Sequence, residues 1–163
     1  MKNLHVKRQE LKYYVNTIEA DRMRGLFSKI LFSDKNAKEN NGYLVSSLYF
    51  ESYDDRNLDE KLDGILSRRK YRIRIYNKDF SLIKLENKIK ENNTISKISS
   101  IITKEDSYNL YNLNFKKIIN RSKTLNGMIS YLDAFKYKPK VLLTYITAGY
   151  PSKKQTIEII YKL

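Results

Sequence analysis

Ser67-Arg-Arg-Lys-Tyr-Arg-Ile-Arg-Ile-Tyr76 alternates basic with aromatic or aliphatic residues from Lys70 onward. An extended strand projects every second side chain from the same face, so this alternation predicts a β-strand. Four basic residues share one parity and would line one face of that strand: Arg68, Lys70, Arg72 and Arg74. The stretch therefore predicts a strand with a continuous positive face.

Two other segments repeat this pattern. The strand predicted over 80–90 has Leu85 and Ile89 at one parity, and the other parity carries Lys84, Glu86, Lys88 and Lys90. The first predicted strand, 6–15, carries three charged residues at one parity: Arg8, Glu10 and Lys12. Like charges on neighbouring strands repel across about 5 Å, so three such rows predict that an anion or a few carboxylates lie among them. A chain of phosphates is the simplest anion with enough charge.

Composition supports a polyanionic partner. The 163 residues fit one domain and contain 32 Lys and Arg against 18 acidic residues, a formal net charge of +14. Nucleic acid, polyphosphate, nucleotides and an anionic membrane surface are all compatible with that charge. The chain has no cysteine, which excludes disulfides, thiolate metal sites and cysteine nucleophiles. With five glycines and no GxxxxGK[ST] or GxGxxG motif, phosphate would have to be held by side chains.

The N-terminal segment and the hydropathy of the chain predict a cytoplasmic protein. The segment from Met1 to Arg8 lacks the apolar core of a signal peptide. No stretch approaches the roughly 20 apolar residues of a membrane span. We therefore expect a soluble protein without a transmembrane segment.

The remaining segments predict an α+β protein. Asn16 to Glu19 has the pattern of a capping box, opening a helix to about Phe32. The apolar stripe predicted for that helix comprises Ile18, Leu26, Phe27, Ile30 and Leu31. Further predictions are a strand over 43–50, a helix over 54–62 ended by Gly64, a hairpin loop at 77–79, helices between 103 and 135, and a final hairpin of strands 141–147 and 155–161 turning at 149–152. The segment 95–102 has no clear period, and its class stays open.

The motifs Arg8-Gln-Glu-Leu-Lys-Tyr13, Val45-Ser-Ser-Leu-Tyr-Phe50, Lys61-Leu-Asp-Gly64, Arg69-Lys-Tyr-Arg-Ile-Arg-Ile-Tyr76 and Leu85-Glu-Asn-Lys88 occur in this order. Together they resemble the VTC domain, a family of the triphosphate tunnel metalloenzyme (CYTH-like) superfamily. The resemblance implies an antiparallel β tunnel barrel with packed helices. It also implies that ATP and polyphosphate are the ligands and that a divalent cation, manganese or magnesium, assists. VTC members transfer the γ-phosphate of ATP to a polyphosphate chain.

The basic rows and the resemblance together define the candidate site. The predicted phosphate-binding residues are Arg8, Lys12, Lys70, Arg72, Arg74, Lys84, Lys88, Lys90 and Lys97. Glu10 and Glu86 are candidate metal ligands, and an equally open alternative is that each only neutralises neighbouring cations.

Two departures from the family pattern bear on activity. Ile146 and Thr147 stand where the family usually places an Asp-Arg pair after the tyrosine of a later strand. The chain also ends at Leu163, so we expect residues 1–163 to form a single domain whose barrel lacks its closing strands.

The function expected from the sequence is therefore a polyphosphate polymerase-type domain whose own activity is open. Two alternatives remain: a triphosphate hydrolase of the same superfamily, and a non-catalytic module that binds polyphosphate or RNA. RNA is less favoured, because Tyr71 has the opposite parity to the arginine row and would face away from it.

Overall fold

A computed structural model describes residues 4–8, 11–34, 42–92, 94–118, 122–151 and 156–162. Seven strands and four α-helices follow one another in the order β1 (Leu4–Arg8), α1 (Thr17–Ile30), β2 (Tyr43–Glu51), α2 (Arg56–Leu62), β3 (Ser67–Tyr76), β4 (Asp79–Glu91), β5 (Thr94–Ile102), α3 (Lys104–Tyr111), a 3₁₀ turn (Phe115–Ile118), α4 (Lys123–Ala134), β6 (Lys138–Pro151) and β7 (Thr156–Lys162). This element content confirms the α+β class.

The strands form one sheet over the described residues, in the order β1-β5-β4-β3-β2-β6-β7. The pairs β1–β5, β4–β5 and β6–β7 are antiparallel, and β3 and β4 are joined by a two-residue turn. No helix among these residues is long and apolar enough to cross a membrane. By contacts the chain divides into two compact units, Met1–Glu10 with Ser47–Ile75 and Asp79–Leu143, and Leu11–Ser46 with Tyr76–Lys78 and Thr144–Leu163.

The core of the first unit lies between its strands and the helical segment 104–134. Tyr71 and Ile73 of β3 and Leu85 of β4 are buried in one cluster with Leu110 of α3 and Leu132 of α4. Each of these strand residues has the opposite parity to the basic row on its own strand. The hydrophobic effect therefore assigns one face of β3 and β4 to the helices and leaves the other face for the charged side chains.

The second unit has a smaller core. Ala20 of α1 is buried with Ala148, Tyr150 and Ile159 of the final hairpin, and Phe27 packs its ring 5.7 Å from that of Tyr150. The capping box predicted at the start of α1 is confirmed, since the Asn16 side chain and the Glu19 side chain each accept a backbone N–H of the other residue. That helix begins where its cap residue predicts.

Several sequence predictions hold closely. β3 has the predicted bounds, and the segment 95–102, whose class stayed open, belongs to β5 (Thr94–Ile102). The Thr103 capping pattern is confirmed by reciprocal hydrogen bonds with Asp106. Gly64 follows α2 with a φ of 69°, the left-handed conformation that glycine tolerates best.

Three predictions were wrong. The strand predicted over 6–15 does not continue through 11–15: β1 covers Leu4–Arg8, which pairs with residues 95–99 of β5. Residues 11–16 lie outside any strand. The turn placed at 149–152 begins too early, since β6 continues to Pro151 and Gly149 pairs with Glu158.

The third error concerns the apolar stripe of α1. Phe27 and Leu31 pack against the small core, but three other predicted members are exposed: Ile18, Leu26 and Ile30. The buried face is centred on Ala20, whose short side chain lets the helix approach the hairpin closely. A stripe counted from large residues alone therefore missed Ala20 and included three exposed residues.

Candidate anion-binding site

A buried carboxylate holds the charged face of the first unit together. Glu86 of β4 is 1% exposed, and its Oε2 accepts a hydrogen bond from Arg72 Nε at 2.8 Å. Arg72 Nη2 lies 2.7 Å from the same oxygen. Arg74 Nε lies 3.9 Å from Oε2, and Lys97 Nζ lies 3.6 Å from Oε1. Three cations from two strands thus surround one carboxylate from the strand between them.

Strand order and register account for this convergence. β4 lies between β3 and β5, so Glu86 has the arginines on one side and Lys97 on the other. Glu86 is registered with Ser99 of β5, whose Oγ is 3.5 Å from Glu86 Oε1. On the far side of β3, Arg74 Nε donates to Oγ of the fully buried Ser47 of β2 at 3.1 Å. Neighbouring strands therefore fix both arginine side chains, each of which is 12% exposed.

Tyr49 of β2 is a site residue that the sequence did not single out for this role. Arg72 Nη1 donates to the Tyr49 hydroxyl oxygen at 2.9 Å, and the guanidinium carbon lies 5.7 Å from the ring centroid. The available signal was parity, because Ser47 and Tyr49 alternate along β2 as the arginines do along β3. Using it required knowing that β2 is the neighbour of β3.

The cations control the ionisation of both groups. Burial would raise the pKa of Glu86, but Arg72, Arg74 and Lys97 lower it to about 2. Burial would likewise raise the pKa of Tyr49, and here Arg72, Arg74 and Lys88 bring it below its ordinary value. Glu86 is therefore ionised at neutral pH, and the Tyr49 hydroxyl is a stronger acid than an ordinary phenol.

Positive side chains are concentrated at this site. Arg72, Arg74 and Lys97 all lie within 4 Å of the single Glu86 carboxylate. In addition, Lys88 of β4 is registered directly opposite Lys97 of β5, a like-charge pair that is unfavourable between neighbouring strands. A bound anion would offset this repulsion. The arrangement is suited to holding a phosphate chain by side-chain donors.

The other predicted phosphate-binding residues differ in their placement. Lys70 is half-buried on β3, where burial, followed by Lys61 and Arg68, lowers its pKa. Lys84 and Lys90 occupy β4 at the same parity as Glu86. Lys12 is exposed in the irregular segment 11–16 and belongs to the second unit.

The side chains of two predicted site residues, Arg8 and Glu10, lie outside the described part of the structure. Arg8 is the last residue of β1, paired with Ile95, and its side chain lies outside the described part of the structure. Glu10 also lies outside the described residues. The predictions for these two side chains stay predictions.

Comparisons with known proteins agree with this geometry. A sequence model of the VTC domain matches residues 7–159, and the chain therefore belongs to the VTC domain family. A crystal structure of a candidate adenylate cyclase from Bacillus halodurans is similar with a TM-score of 0.57 at 14% identity, covering 98% of this chain and 79% of the other. No curated protein matches. Together, the family and the structural similarity confirm the α+β, antiparallel tunnel-type fold that the sequence predicts.

Proteins of the VTC domain family and its CYTH-like relatives generally depend on a divalent cation. The described residues can therefore be compared with the ligands that such an ion requires. Glu86 is a poor metal ligand here, because Arg72 occupies one carboxylate oxygen and Lys97 and Ser99 approach the other. Among the described residues there is no group of three His, Cys, Asp or Glu side chains that could hold a metal ion. The described side chains therefore do not fit a resident metal, and the surroundings of Glu86 favour its alternative role as a neutraliser of cations.

Proposed function

We propose that this protein binds the phosphate chains of ATP and polyphosphate, as a polyphosphate polymerase-type domain. The observation that carries the proposal is the convergence of three cations, Arg72, Arg74 and Lys97, on the buried Glu86 carboxylate. Burying several cations around one anion is costly unless a further anion completes the site. A phosphate chain carries about one negative charge per phosphorus and so matches a row of cations in sign.

The reaction proposed for the site is transfer of the γ-phosphoryl group of ATP to the end of a polyphosphate chain. Such a transfer asks the protein mainly to align the nucleophile and the leaving group and to neutralise charge on the transferred group. Arg72 and Arg74 would supply forked hydrogen bonds, and Lys70, Lys88 and Lys97 would supply point charges. No step is assigned to a metal held by the described residues.

Tyr71, Tyr76 and Tyr43 give little support to the alternative of a base-stacking RNA module. Tyr71 is buried among the helices, with its ring centroid 5.4 Å from that of Tyr131 and 5.6 Å from that of Tyr137. Tyr76 packs its ring 5.8 Å from that of Tyr43. These rings already have protein partners, so stacking against bases would require their displacement. The geometry favours recognition of phosphate over recognition of bases.

Binding of inorganic polyphosphate tests the proposal. We expect Arg74→Ala to weaken binding in calorimetric titration by about 1.5–3 kcal/mol, the range for a charge-assisted hydrogen bond. Arg69→Ala is the matched control, because Arg69 lies on the same strand at the opposite parity, with its guanidinium carbon 5.1 Å from the Tyr131 ring centroid. We expect this control to bind nearly as the wild type does.

A matched single-stranded RNA provides the contrasting ligand. Affinity for both polyanions should fall as salt rises, but polyphosphate should bind more tightly at moderate salt. Equal losses from Arg74→Ala and Arg69→Ala would indicate diffuse electrostatic attraction. RNA binding as tight as polyphosphate binding would favour the nucleic-acid module instead.

A further inference from the structure

We propose that Tyr49 is a phosphate-binding residue, which donates its hydroxyl proton to an oxygen of the bound phosphate chain. The inference rests on the proposed function and adds to it an uncharged donor among the cations. Tyr49 is half-buried on β2, the strand next to β3 in the sheet. Its hydroxyl oxygen is hydrogen-bonded to Arg72, and further cations of β3 and β4 surround it.

The Tyr49 hydroxyl has a proton that it can donate to a ligand. The Tyr49 hydroxyl oxygen accepts a hydrogen bond from Arg72 Nη1 at 2.9 Å. A phenol also carries one O–H donor, which is usually satisfied when the group is partly buried. Within the described part of the chain, no acceptor for this proton is found. Among the described residues this donor is therefore available to an acceptor on a bound ligand.

Cationic side chains surround the Tyr49 hydroxyl. Arg72 and Arg74 of β3 and Lys88 of β4 all act on the Tyr49 hydroxyl, and Lys70 also interacts with it. An acceptor that enters this environment will be favoured strongly if it is an anion. The same cations lower the pKa of Tyr49, which strengthens its O–H as a donor. The cations that would attract a phosphate chain thus also surround the donor.

Arg72 holds the Tyr49 side chain in position. The Arg72 guanidinium connects Glu86 on β4 to Tyr49 on β2 through its separate nitrogens. This connection fixes the phenol, since its oxygen is held by Arg72 while its ring lies beside the guanidinium. A donor fixed in advance loses little conformational entropy when the ligand binds. A phosphate oxygen bound near Arg72 would then be within reach of the Tyr49 hydroxyl.

The test compares wild type and Tyr49→Phe in calorimetric titration with inorganic tripolyphosphate. Loss of a hydrogen bond to a charged acceptor should weaken binding about 10-fold or more. Phenylalanine keeps the ring, and thermal unfolding of the variant monitors whether the fold is retained. Tyr53→Phe is the matched control, because Tyr53 is exposed and packs beside Lys138 instead.

A crystal structure of the wild-type complex with tripolyphosphate distinguishes donation to the ligand from mere support of Arg72. We expect the Tyr49 hydroxyl oxygen within about 2.5–3.0 Å of a phosphate oxygen. A phosphate chain bound beside Arg72 and Arg74 but out of reach of that oxygen would overturn the inference and leave the proposed function standing, as would unchanged affinity of Tyr49→Phe. No binding of tripolyphosphate by the wild type would overturn both.

Discussion

Glu86 shows how much one buried residue can depend on its neighbours. A carboxylate at 1% exposure would ordinarily be protonated, because burial disfavours the charged form. Here Arg72, Arg74 and Lys97 reverse that effect and lower its pKa to about 2. Burying the negative charge of Glu86 alone would cost free energy. The same charge allows Arg72 and Arg74 to be buried beside it.

This coupling predicts an acid-sensitive contribution to stability. The pKa of Glu86 falls from an ordinary 4.5 to about 2 in the folded protein. The contribution is therefore present above about pH 4.5 and is lost as pH falls toward 2. It amounts to about 3 kcal/mol when the shift is converted at 1.36 kcal/mol per unit. Urea unfolding measured across this pH range, for wild type and Glu86→Gln, provides the measurement.

The comparison with Glu86→Gln separates this group from the other carboxylates. At neutral pH the variant should be the less stable by roughly 3–5 kcal/mol, since it leaves three cations without their common partner. The difference between the two proteins should shrink as the pH falls, because protonated Glu86 resembles glutamine. A difference that stays constant from neutral pH to acid would contradict the assigned ionisation.

Among the elements, the β3–β4 hairpin places the two charged rows side by side. Its turn residues Asn77 and Lys78 have φ values of 52° and 57°, the conformation of a two-residue type I′ turn. Asn77 is suited to the turn and also accepts a hydrogen bond from the Leu44 backbone N–H at 3.0 Å. Lys78 is not suited, because a side chain at positive φ is strained and glycine is the preferred residue there.

Relief of that strain is testable. Lys78→Gly should raise the free energy of unfolding by about 0.5–1 kcal/mol, which is the left-handed strain relieved less the entropy cost of glycine. Lys78→Ala is the control, because it removes the same charge while keeping a Cβ at positive φ. Urea denaturation of the three proteins measures the effect. If glycine and alanine had equal effects, charge rather than backbone strain would be responsible.

For the whole molecule, the question is whether phosphate binding leads to turnover. We expect the protein to bind triphosphate yet make polyphosphate from ATP and manganese slowly or not at all. Ile146 and Thr147 stand where related chains are expected to carry charge, and Thr147 is buried, 2% exposed. Loss of one transition-state charge partner commonly costs about 10²–10³-fold in rate.

Gel staining of polyphosphate after incubation with ATP and manganese measures this turnover. Arg74→Ala is the control, since any residual synthesis that depends on the site should fall further in that variant. Rapid synthesis by the wild type would show that the charge partners at these positions are dispensable. Rapid synthesis unaffected by Arg74→Ala would point to a contaminating activity.

The sequence predicted the local features of this protein well. The alternation from Lys70 to Arg74 correctly indicated a strand with an apolar face and a charged face, because the period of two is a property of the extended backbone. The capping patterns at Asn16 and Thr103 correctly indicated helix starts for the same local reason. The strand predicted through 11–15 was wrong, since pairing depends on a partner strand that is distant in the chain.

The composition of the site depended on non-local pairing. Basic rows on β3 and β4 could be read from parity, but the sharing of Glu86 by Arg72, Arg74 and Lys97 follows from the order of β3, β4 and β5. Tyr49 joins the site only because β2 pairs on the other side of β3. Local alternation determines which side chains share a face. Which of them touch is determined by strand order and register, and these emerge only when segments distant in the chain pack around a common core.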